Sequence, residues 1–287
     1  MCDQEKLAQW ALSRRSFGAM GGAGLAAACA PMAGTATGGG PGALREQSVS
    51  FATADGTMDG FFVHPRDRAA PGVLFWPDIA GLREAKRSMA RRLAASGYAV
   101  FVANPYYRDV SGEQFADFAA FVEREGFQAV RPWRAKLDAA AIMRDAGSAI
   151  GWLDSQQAVD RSRGIGTQGY CMGGPFTVWT AAAVPDRVGA AASFHGGGLV
   201  REDSPTSPHR MLQSETDYLI AIAQDDDAEN PQHKAILSEA AAGAGADAEI
   251  EVYAGDHGWT VPDSPAYAPE AAERAWANLL QLYTASL

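Results

Sequence analysis

The chain has 287 residues, a net charge of −10 and 20% charged residues, a composition typical of a folded protein rather than a disordered segment. The excess of acidic over basic side chains argues against a nucleic-acid partner, which requires a basic face. The three cysteines, Cys2, Cys29 and Cys171, are too few for a disulfide scaffold and include no C-x-x-C pair for zinc or redox chemistry.

The first 45 residues have the character of a leader rather than of a folded domain. Arg14 and Arg15 precede a stretch without charge, Ser16 to Leu44, that contains nine glycines. An ordinary N-terminal helix is the alternative, but each glycine disfavours it by roughly 1 kcal/mol relative to alanine. The segment resembles a twin-arginine export signal, and we expect the export machinery to bind residues 13–30.

Export by this route predicts a bacterial periplasmic protein. The sequence Ala28-Cys29-Ala30 has the A-x-A pattern of a signal cleavage site. The alternative is a lipid anchor at Cys29, although the large aliphatic residue usual before such a site is missing. The stretch is too rich in glycine for a membrane-spanning helix.

After residue 45 the chain alternates between predicted strands and predicted helices. The expected strands are Val49–Thr53, Met58–Val63, Gly72–Trp76, Tyr98–Ala103, Gly164–Gln168, Val188–Phe194, Tyr218–Ala223 and Ala248–Tyr253. The expected helices are Glu84–Ala95, Gln114–Arg124, Trp133–Asp154, Gly173–Ala183, Gln232–Ala242 and Pro269–Tyr283. This alternation predicts one α/β domain, residues 46–287, with a mainly parallel sheet and helices on both faces. We expect a monomer, with its ligands at the carboxyl ends of the strands.

Cys171 lies in the sequence Gly169-Tyr170-Cys171-Met172-Gly173, between a predicted strand and a predicted helix. This G-x-C-x-G pattern is typical of a nucleophile elbow, a sharp turn whose flanking glycines avoid a collision of side chains. The dipole of the following helix favours a thiolate. The alternative is a buried structural cysteine beside a glycine-rich turn.

A thiol nucleophile needs a base and an acid that orients it, and both residue types follow later strands. His257 comes directly after the last predicted strand, and Asp225, Asp226 and Asp227 follow the strand before it. The order nucleophile, acid, base is that of the α/β-hydrolase triad. A solvent-exposed loop histidine and a solvated acidic loop are the alternatives, and the spacing does not choose among the three aspartates.

The sequence resembles the dienelactone hydrolase family, in its exported branch, from about Val49 to Tyr283. The matching stretches are Trp76–Gly81, Gly97–Val100, Asn104–Arg108, Gly169–Gly174, Ser193–Gly198 and Tyr253–Trp259.

The resemblance implies a single α/β-hydrolase domain with a Cys-His-Asp triad. Cys171 matches the nucleophile and His257 the base. The family pattern for the acid, a strand that ends in small-x-x-Asp, selects Asp226 over Asp225, with Ala223 in place of the usual glycine.

The resemblance also implies an oxyanion hole formed by the backbone N–H groups of Ile79 and Met172, in agreement with the elbow pattern. In the family a glutamate after the third strand lies against the resting thiol. Asp78 takes that position here, one methylene shorter, and we expect it to contact Cys171 or to shape the pocket.

The expected substrate contacts are less complete. Family enzymes that act on dienelactone bind its carboxylate with two arginines; Arg108 matches one, and Val261 stands where the second would lie. His195 and Trp259 are expected to line the pocket. The alternatives are a supporting or solvent-exposed role for His195 and simple packing for Trp259.

The sequence thus predicts hydrolysis of a lactone or small carboxylic ester through a thioester, without cofactor or metal. His209 and His233 do not have the spacing of a metal motif with His195. One alternative is an amidotransferase-like thiol enzyme, but the acidic residue expected two positions after the histidine is Trp259 here. Another is a non-catalytic binding protein on a hydrolase scaffold.

Overall fold

The structure is a computed structural model that describes residues 43–287. Its strands are β1 (Leu44–Thr53), β2 (Gly56–Pro65), β3 (Gly72–Trp76), β4 (Ala99–Ala103), β5 (Ile165–Tyr170), β6 (Val188–Phe194), β7 (Asp217–Ala223) and β8 (Ala248–Tyr253). Its α-helices are α1 (Glu84–Ala95), α2 (Phe118–Glu123), α3 (Gly126–Ala129), α4 (Arg131–Arg134), α5 (Ala139–Asp154), α6 (Gly174–Ala183), α7 (Gln224–Glu229), α8 (His233–Ala244) and α9 (Pro269–Ser286).

The expected leader lies outside the described residues except for residues 43–45. Leu44 and Arg45 already belong to β1, so the sheet begins two residues before the expected boundary at residue 46. Within residues 43–287 no helix is long and apolar enough to cross a membrane.

The eight described strands form one sheet in the order β1-β2-β4-β3-β5-β6-β7-β8. β1 and β2 are antiparallel to each other, and β2 is antiparallel to β4, whereas every pair from β4 to β8 is parallel. The predicted mainly parallel sheet is therefore confirmed, with an antiparallel hairpin at one edge. Because β5, β6, β7 and β8 are successive neighbours, the loops after them follow one another along a single edge of the sheet.

Two apolar layers cover the sheet, one on each face. The central strands β3 and β4 are buried at every residue, as expected of parallel strands with helices on both sides. One layer includes Ile142 and Ile150 of α5, and the other includes Leu93 of α1 and Leu279 of α9. The expectation of helices on both faces is confirmed.

The region between β4 and β5 differs from the predicted pattern. Asp117 caps α2 by accepting a hydrogen bond from Ala120 N at 2.7 Å, and Asp138 caps α5 by accepting one from Ala141 N at 2.8 Å. Each cap satisfies N–H groups that have no partner within the helix, so the helices begin at these aspartates. The two long helices expected at 114–124 and 133–154 are therefore replaced by α2, two single turns and α5.

A second difference concerns the acidic stretch after β7. The sequence predicted no helix here, and a solvated acidic loop was the alternative to a triad acid, whereas Gln224 to Glu229 form the short helix α7. Three aspartates occupy its first turn, where the helix dipole favours negative charge.

Candidate active site

Cys171 directly follows β5 and lies in a left-handed backbone conformation, with φ of 52°. A non-glycine residue in this region is strained, and such strain often occurs at functional sites. Cys171 is buried, with 4% of its surface exposed, and it opens the 3-10 turn that leads into α6. The predicted turn between strand and helix is thus present.

The flanking glycines allow the turn to close. A Cβ atom on Gly169 would lie 2.0 Å from the carbonyl oxygen of Gly173. A Cβ atom on Gly173 would lie 2.6 Å from the carbonyl oxygens of Trp76 and Pro77. The turn at Cys171 therefore packs, backbone against backbone, on the end of β3.

His257 lies in the loop after β8, and two carboxylates after β7 hold it. Nδ1 of its ring is 2.7 Å from Oδ2 of Asp226. Its backbone N–H donates to Oδ1 of Asp225 at 2.8 Å. Asp226 thus orients the imidazole ring, while Asp225 holds the main chain of the same residue.

Ile79 and Met172, the residues predicted to form the oxyanion hole, are bridged by a tyrosine that the sequence reading did not single out. The hydroxyl of Tyr106 donates to the carbonyl oxygen of Ile79 at 2.8 Å and lies 3.4 Å from the sulfur of Met172. Asn104 in turn accepts a hydrogen bond from Tyr106 N at 3.0 Å. Tyr106 and Asn104 both lie within Asn104–Arg108, one of the stretches that resemble the family. That resemblance was the signal by which the sequence could have indicated them.

Asp78 is buried and carries two cationic partners. Arg83 Nη1 and Lys86 Nζ lie 2.7 Å from its two carboxylate oxygens. Burial raises the pKa of Asp78, but the charges of Arg83 and Lys86 outweigh it and hold this pKa well below the ordinary value. Burial lowers the pKa of Lys86 to about 8, against the attraction of Asp78.

His195 directly follows β6 and packs against the histidine of the predicted triad. Its backbone φ is 39°, and the ring centroids of His195 and His257 are 5.0 Å apart at 65°. Nε2 of His195 forms a 2.8 Å hydrogen bond with Oγ1 of Thr260. Burial, together with the charges of His257 and Lys86, lowers the pKa of His195 well below the ordinary value, so its ring is neutral at pH 7.

Trp259 is fully buried and stacks on Tyr253, with ring centroids 4.8 Å apart and 16° between the planes. Its contacts are those of a packing residue. His195 is also buried, with 1% of its surface exposed. Both side chains therefore lie beneath the site surface and support His257 and its loop.

Arg108 is held by carboxylates of the protein itself. Its Nη2 lies 2.6 Å from Asp55 Oδ2 and 2.8 Å from Asp145 Oδ1, and Nη1 lies 2.8 Å from Asp145 Oδ2. The expected role in binding a substrate carboxylate is not supported by this arrangement, because the guanidinium is already compensated within the fold. Within residues 43–287 no group of three His, Cys, Asp or Glu side chains is placed to hold a metal ion.

Comparison with known proteins places the chain in a family. A model of the dienelactone hydrolase family matches residues 58–287. The chain belongs to the dienelactone hydrolase family. It is 28% identical, over 91% of its length and 94% of the relative's, to a protein of Salmonella typhi named "Putative carboxymethylenebutenolidase". A protein of the same name from Escherichia coli strain K12 is 27% identical over the same shares of the two chains.

A solved structure shows the same fold. The crystal structure of a "Putative Dienelactone Hydrolase" from Klebsiella pneumoniae is similar with a TM-score of 0.66 and 25% identity, covering 84% of this chain and 99% of that one. The chain is accordingly a hydrolase of the lactone or ester type, on an α/β-hydrolase fold, and acts on a small molecule.

The neutral His195 predicts an acid-sensitive fold. Below the ordinary pKa of 6.5 the unfolded chain takes up a proton at this residue while the folded chain does not, so stability falls as the pH falls. Asn tolerates the left-handed backbone and does not titrate. Between pH 7 and pH 5 we expect the free energy of unfolding of wild type to decrease by about 2 kcal/mol more than that of His195→Asn.

Urea unfolding at the two pH values measures this difference. Because each protein is compared with itself at pH 7, a constant loss of stability from the smaller side chain cancels. Equal pH dependence in the two proteins would show that, between pH 7 and pH 5, His195 takes up a proton in the folded state as it does in the unfolded state.

Proposed function

We propose that this hydrolase cleaves a lactone or small carboxylic ester with Cys171 as nucleophile, His257 as base and Asp226 as the orienting acid. The observation that carries the proposal is the 2.7 Å contact between His257 Nδ1 and Asp226 Oδ2, at the edge of the sheet where Cys171 occupies a left-handed turn. Nucleophile, acid and base follow β5, β7 and β8 in the chain order of an α/β-hydrolase triad.

In the first half of the reaction the Cys171 thiolate attacks the carbonyl carbon. The backbone N–H groups of Ile79 and Met172 stabilise the negative oxygen of the tetrahedral intermediate. The C–O bond then breaks, and the protonated His257 gives its proton to the leaving alkoxide. The products of this half are an alcohol, or the hydroxyl end of an opened lactone, and a thioester on Cys171.

In the second half a water molecule attacks the thioester. His257 removes a proton from the water, and the C–S bond of the tetrahedral intermediate breaks to release a carboxylic acid and the Cys171 thiolate, with His257 left protonated for the next cycle. His257 is positively charged between these steps, and Asp226 stabilises that charge. The neutral ring of His195 adds no repulsion to it.

The charges around the site support a substrate that does not depend on a carboxylate group. Arg108 is compensated by Asp55 and Asp145, and Val261 is buried. The two-arginine clamp of the family's dienelactone enzymes is therefore not part of this proposal.

Replacing the nucleophile tests the assignment directly. In Cys171→Ala we expect turnover of 4-nitrophenyl acetate to fall by at least about a thousandfold, because no group remains to form the acyl intermediate. Stopped assays on the purified protein measure it, and circular dichroism verifies the fold. Wild-type turnover in a folded Cys171→Ala protein would refute the proposal.

The two neighbouring aspartates provide a matched pair for the acid. Asp226→Asn removes the charge that orients and stabilises the imidazole ring, and we expect kcat to fall by at least about a hundredfold. Asp225→Asn keeps an oxygen that accepts from the backbone of His257, and we expect a loss below about tenfold. Steady-state kinetics decide the assignment; a larger loss in Asp225→Asn would transfer the acid role to Asp225.

For the leader we propose a twin-arginine signal, a periplasmic location and a monomeric mature domain of residues 46–287. The support is the arginine pair, the charge-free stretch after it and the A-x-A pattern around Cys29. On expression in a bacterium we expect mature protein in the periplasm that lacks the residues up to Ala30. Mass spectrometry of that fraction measures it, and Arg14→Lys combined with Arg15→Lys should keep the protein in the cytoplasm. Full-length protein that stays in the cytoplasm would contradict the proposal.

A further inference from the structure

The guanidinium of Arg83 is fully buried and uses all five of its N–H groups. Nη1 donates to Asp78 Oδ1 at 2.7 Å and to the carbonyl oxygen of Gly81 at 3.3 Å. Nη2 donates to Asp78 Oδ2 at 2.9 Å and to Asp263 Oδ1 at 2.8 Å, and Nε donates to Asp263 Oδ2 at 2.7 Å. One planar group thus holds two carboxylates, each through both oxygens.

The two carboxylates come from two different loops, and the proposed reaction requires that these loops keep a fixed position relative to each other. Asp78 is the residue before Ile79, in the loop after β3, and Asp263 lies six residues after His257, in the loop after β8. Asp263 Oδ2 also accepts a hydrogen bond from Phe118 N at 3.0 Å. Arg83 therefore joins the loop of Ile79 to the loop of His257, and Asp263 extends the connection to the start of α2.

Lys86 extends the cluster to the strand that carries the nucleophile. Its buried ammonium lies 2.7 Å from Asp78 Oδ2 and 4.6 Å from the ring centroid of Tyr170, the residue before Cys171. The cluster contains two cations, Arg83 and Lys86, and two anions, Asp78 and Asp263, so its charges balance.

A buried cluster of this kind is costly as a means of stability alone. The desolvation of buried ions often equals or exceeds their mutual attraction, and well-packed apolar side chains stabilise a core at least as well. What a fully hydrogen-bonded guanidinium supplies is fixed geometry. Proposed oxyanion donors and a general base need that geometry, since a displacement of about 1 Å costs about a hundredfold in rate.

We propose that Arg83 is a positioning residue, which holds the backbone N–H of Ile79 in register with His257 by clamping Asp78 and Asp263. The inference rests on the proposed function, because it takes Ile79 as an oxyanion donor and His257 as the base. Arg83 itself is buried and acts through the two loops, without touching the substrate.

The test breaks the clamp from each side. Arg83→Lys keeps the positive charge but replaces the planar fork by a single ammonium, which cannot bind both carboxylates through all four oxygens. Asp263→Asn keeps the shape of the other partner and removes its charge. Turnover of 4-nitrophenyl acetate is measured for each variant, and kcat is divided by the folded fraction from urea unfolding.

For each single variant we expect kcat per folded molecule to fall by about tenfold or more, with KM within about twofold of wild type. In the double variant, Arg83→Lys with Asp263→Asn, we expect a kcat no lower than about that of the worse single variant, because both changes break the same link. If Arg83→Lys does not fold, Asp263→Asn alone provides the comparison with wild type.

Arg187 supplies the matched control. Its guanidinium holds Asp154 through Nε at 3.1 Å and Nη2 at 2.8 Å, and it lies just before β6, at the end of the strand opposite the site. Arg187→Lys should lose stability without a change in kcat per folded molecule. The inference is overturned if folded Arg83→Lys and Asp263→Asn have wild-type kcat, or if Arg187→Lys reproduces their loss.

Cys171→Ala, assayed in parallel, separates the two proposals. If that variant keeps wild-type turnover, the proposed function fails whatever the Arg83 variants do. If it is inactive while the Arg83 and Asp263 variants turn over normally, only the positioning role of Arg83 is refuted.

Discussion

The close approach of the turn at Cys171 to the end of β3 determines the geometry of this site. A side chain at Gly173 would collide with the carbonyl oxygens of Trp76 and Pro77, so only a bare backbone allows this contact. The contact places the turn that carries Cys171 beside the loop that carries Asp78 and Ile79. The parallel pairing of β3 with β5 fixes the same two segments, because one follows the end of β3 and the other follows the end of β5. The turn of Cys171 and the start of the loop of Ile79 are therefore in direct main-chain contact, whereas the side chains of Asp225 and Asp226 hold His257.

The electrostatics of the site depend on the groups that surround His257. His257 is attached by hydrogen bonds to Asp226 and Asp225, and it lies against an imidazole that burial keeps neutral. A second charged ring with its centroid 5.0 Å away would oppose the proton that His257 takes up in the proposed reaction. The nearby ions, Asp78 with its cationic partners Arg83 and Lys86, form a cluster that Asp263 makes neutral. The carboxylates in direct contact with His257 are those of Asp226, at the ring, and Asp225, at the backbone.

Short-range signals predicted the sheet and the turn at Cys171 well. The bounds expected for Gly72–Trp76, Glu84–Ala95 and Ala248–Tyr253 agree with the structure, because apolar runs and glycine stops are local properties. The G-x-C-x-G turn and the histidine after the last strand are local as well. The sequence analysis did not recognise two helix caps. Asp117 and Asp138 begin α2 and α5 in a region where the apolar spacing alone predicted two long helices.

Long-range pairing was beyond the reach of the sequence. Arg108 has the position of a family arginine, but its partners Asp55 and Asp145 are 53 and 37 residues away along the chain. Nothing in the sequence around Arg108 indicates that its guanidinium binds these two carboxylates. The same holds for Arg83 and Asp263, which are 180 residues apart. Such pairs depend on how the strands are ordered in the sheet, which one sequence does not reveal residue by residue.

The ion pair of Arg83 with Asp263, which joins the two loops, also bears on which substrates the enzyme binds. The resemblance to the family's dienelactone enzymes implies an arginine for the substrate carboxylate four residues after the proposed base, His257, and Val261 has that place here. In this chain Arg83, in the loop of Asp78, pairs with the carboxylate of Asp263, in the loop of His257. This charged link between the two loops uses every N–H group of Arg83 inside the protein. A guanidinium so occupied has no donor left for a substrate, which supports the proposal of an ester without an anionic group.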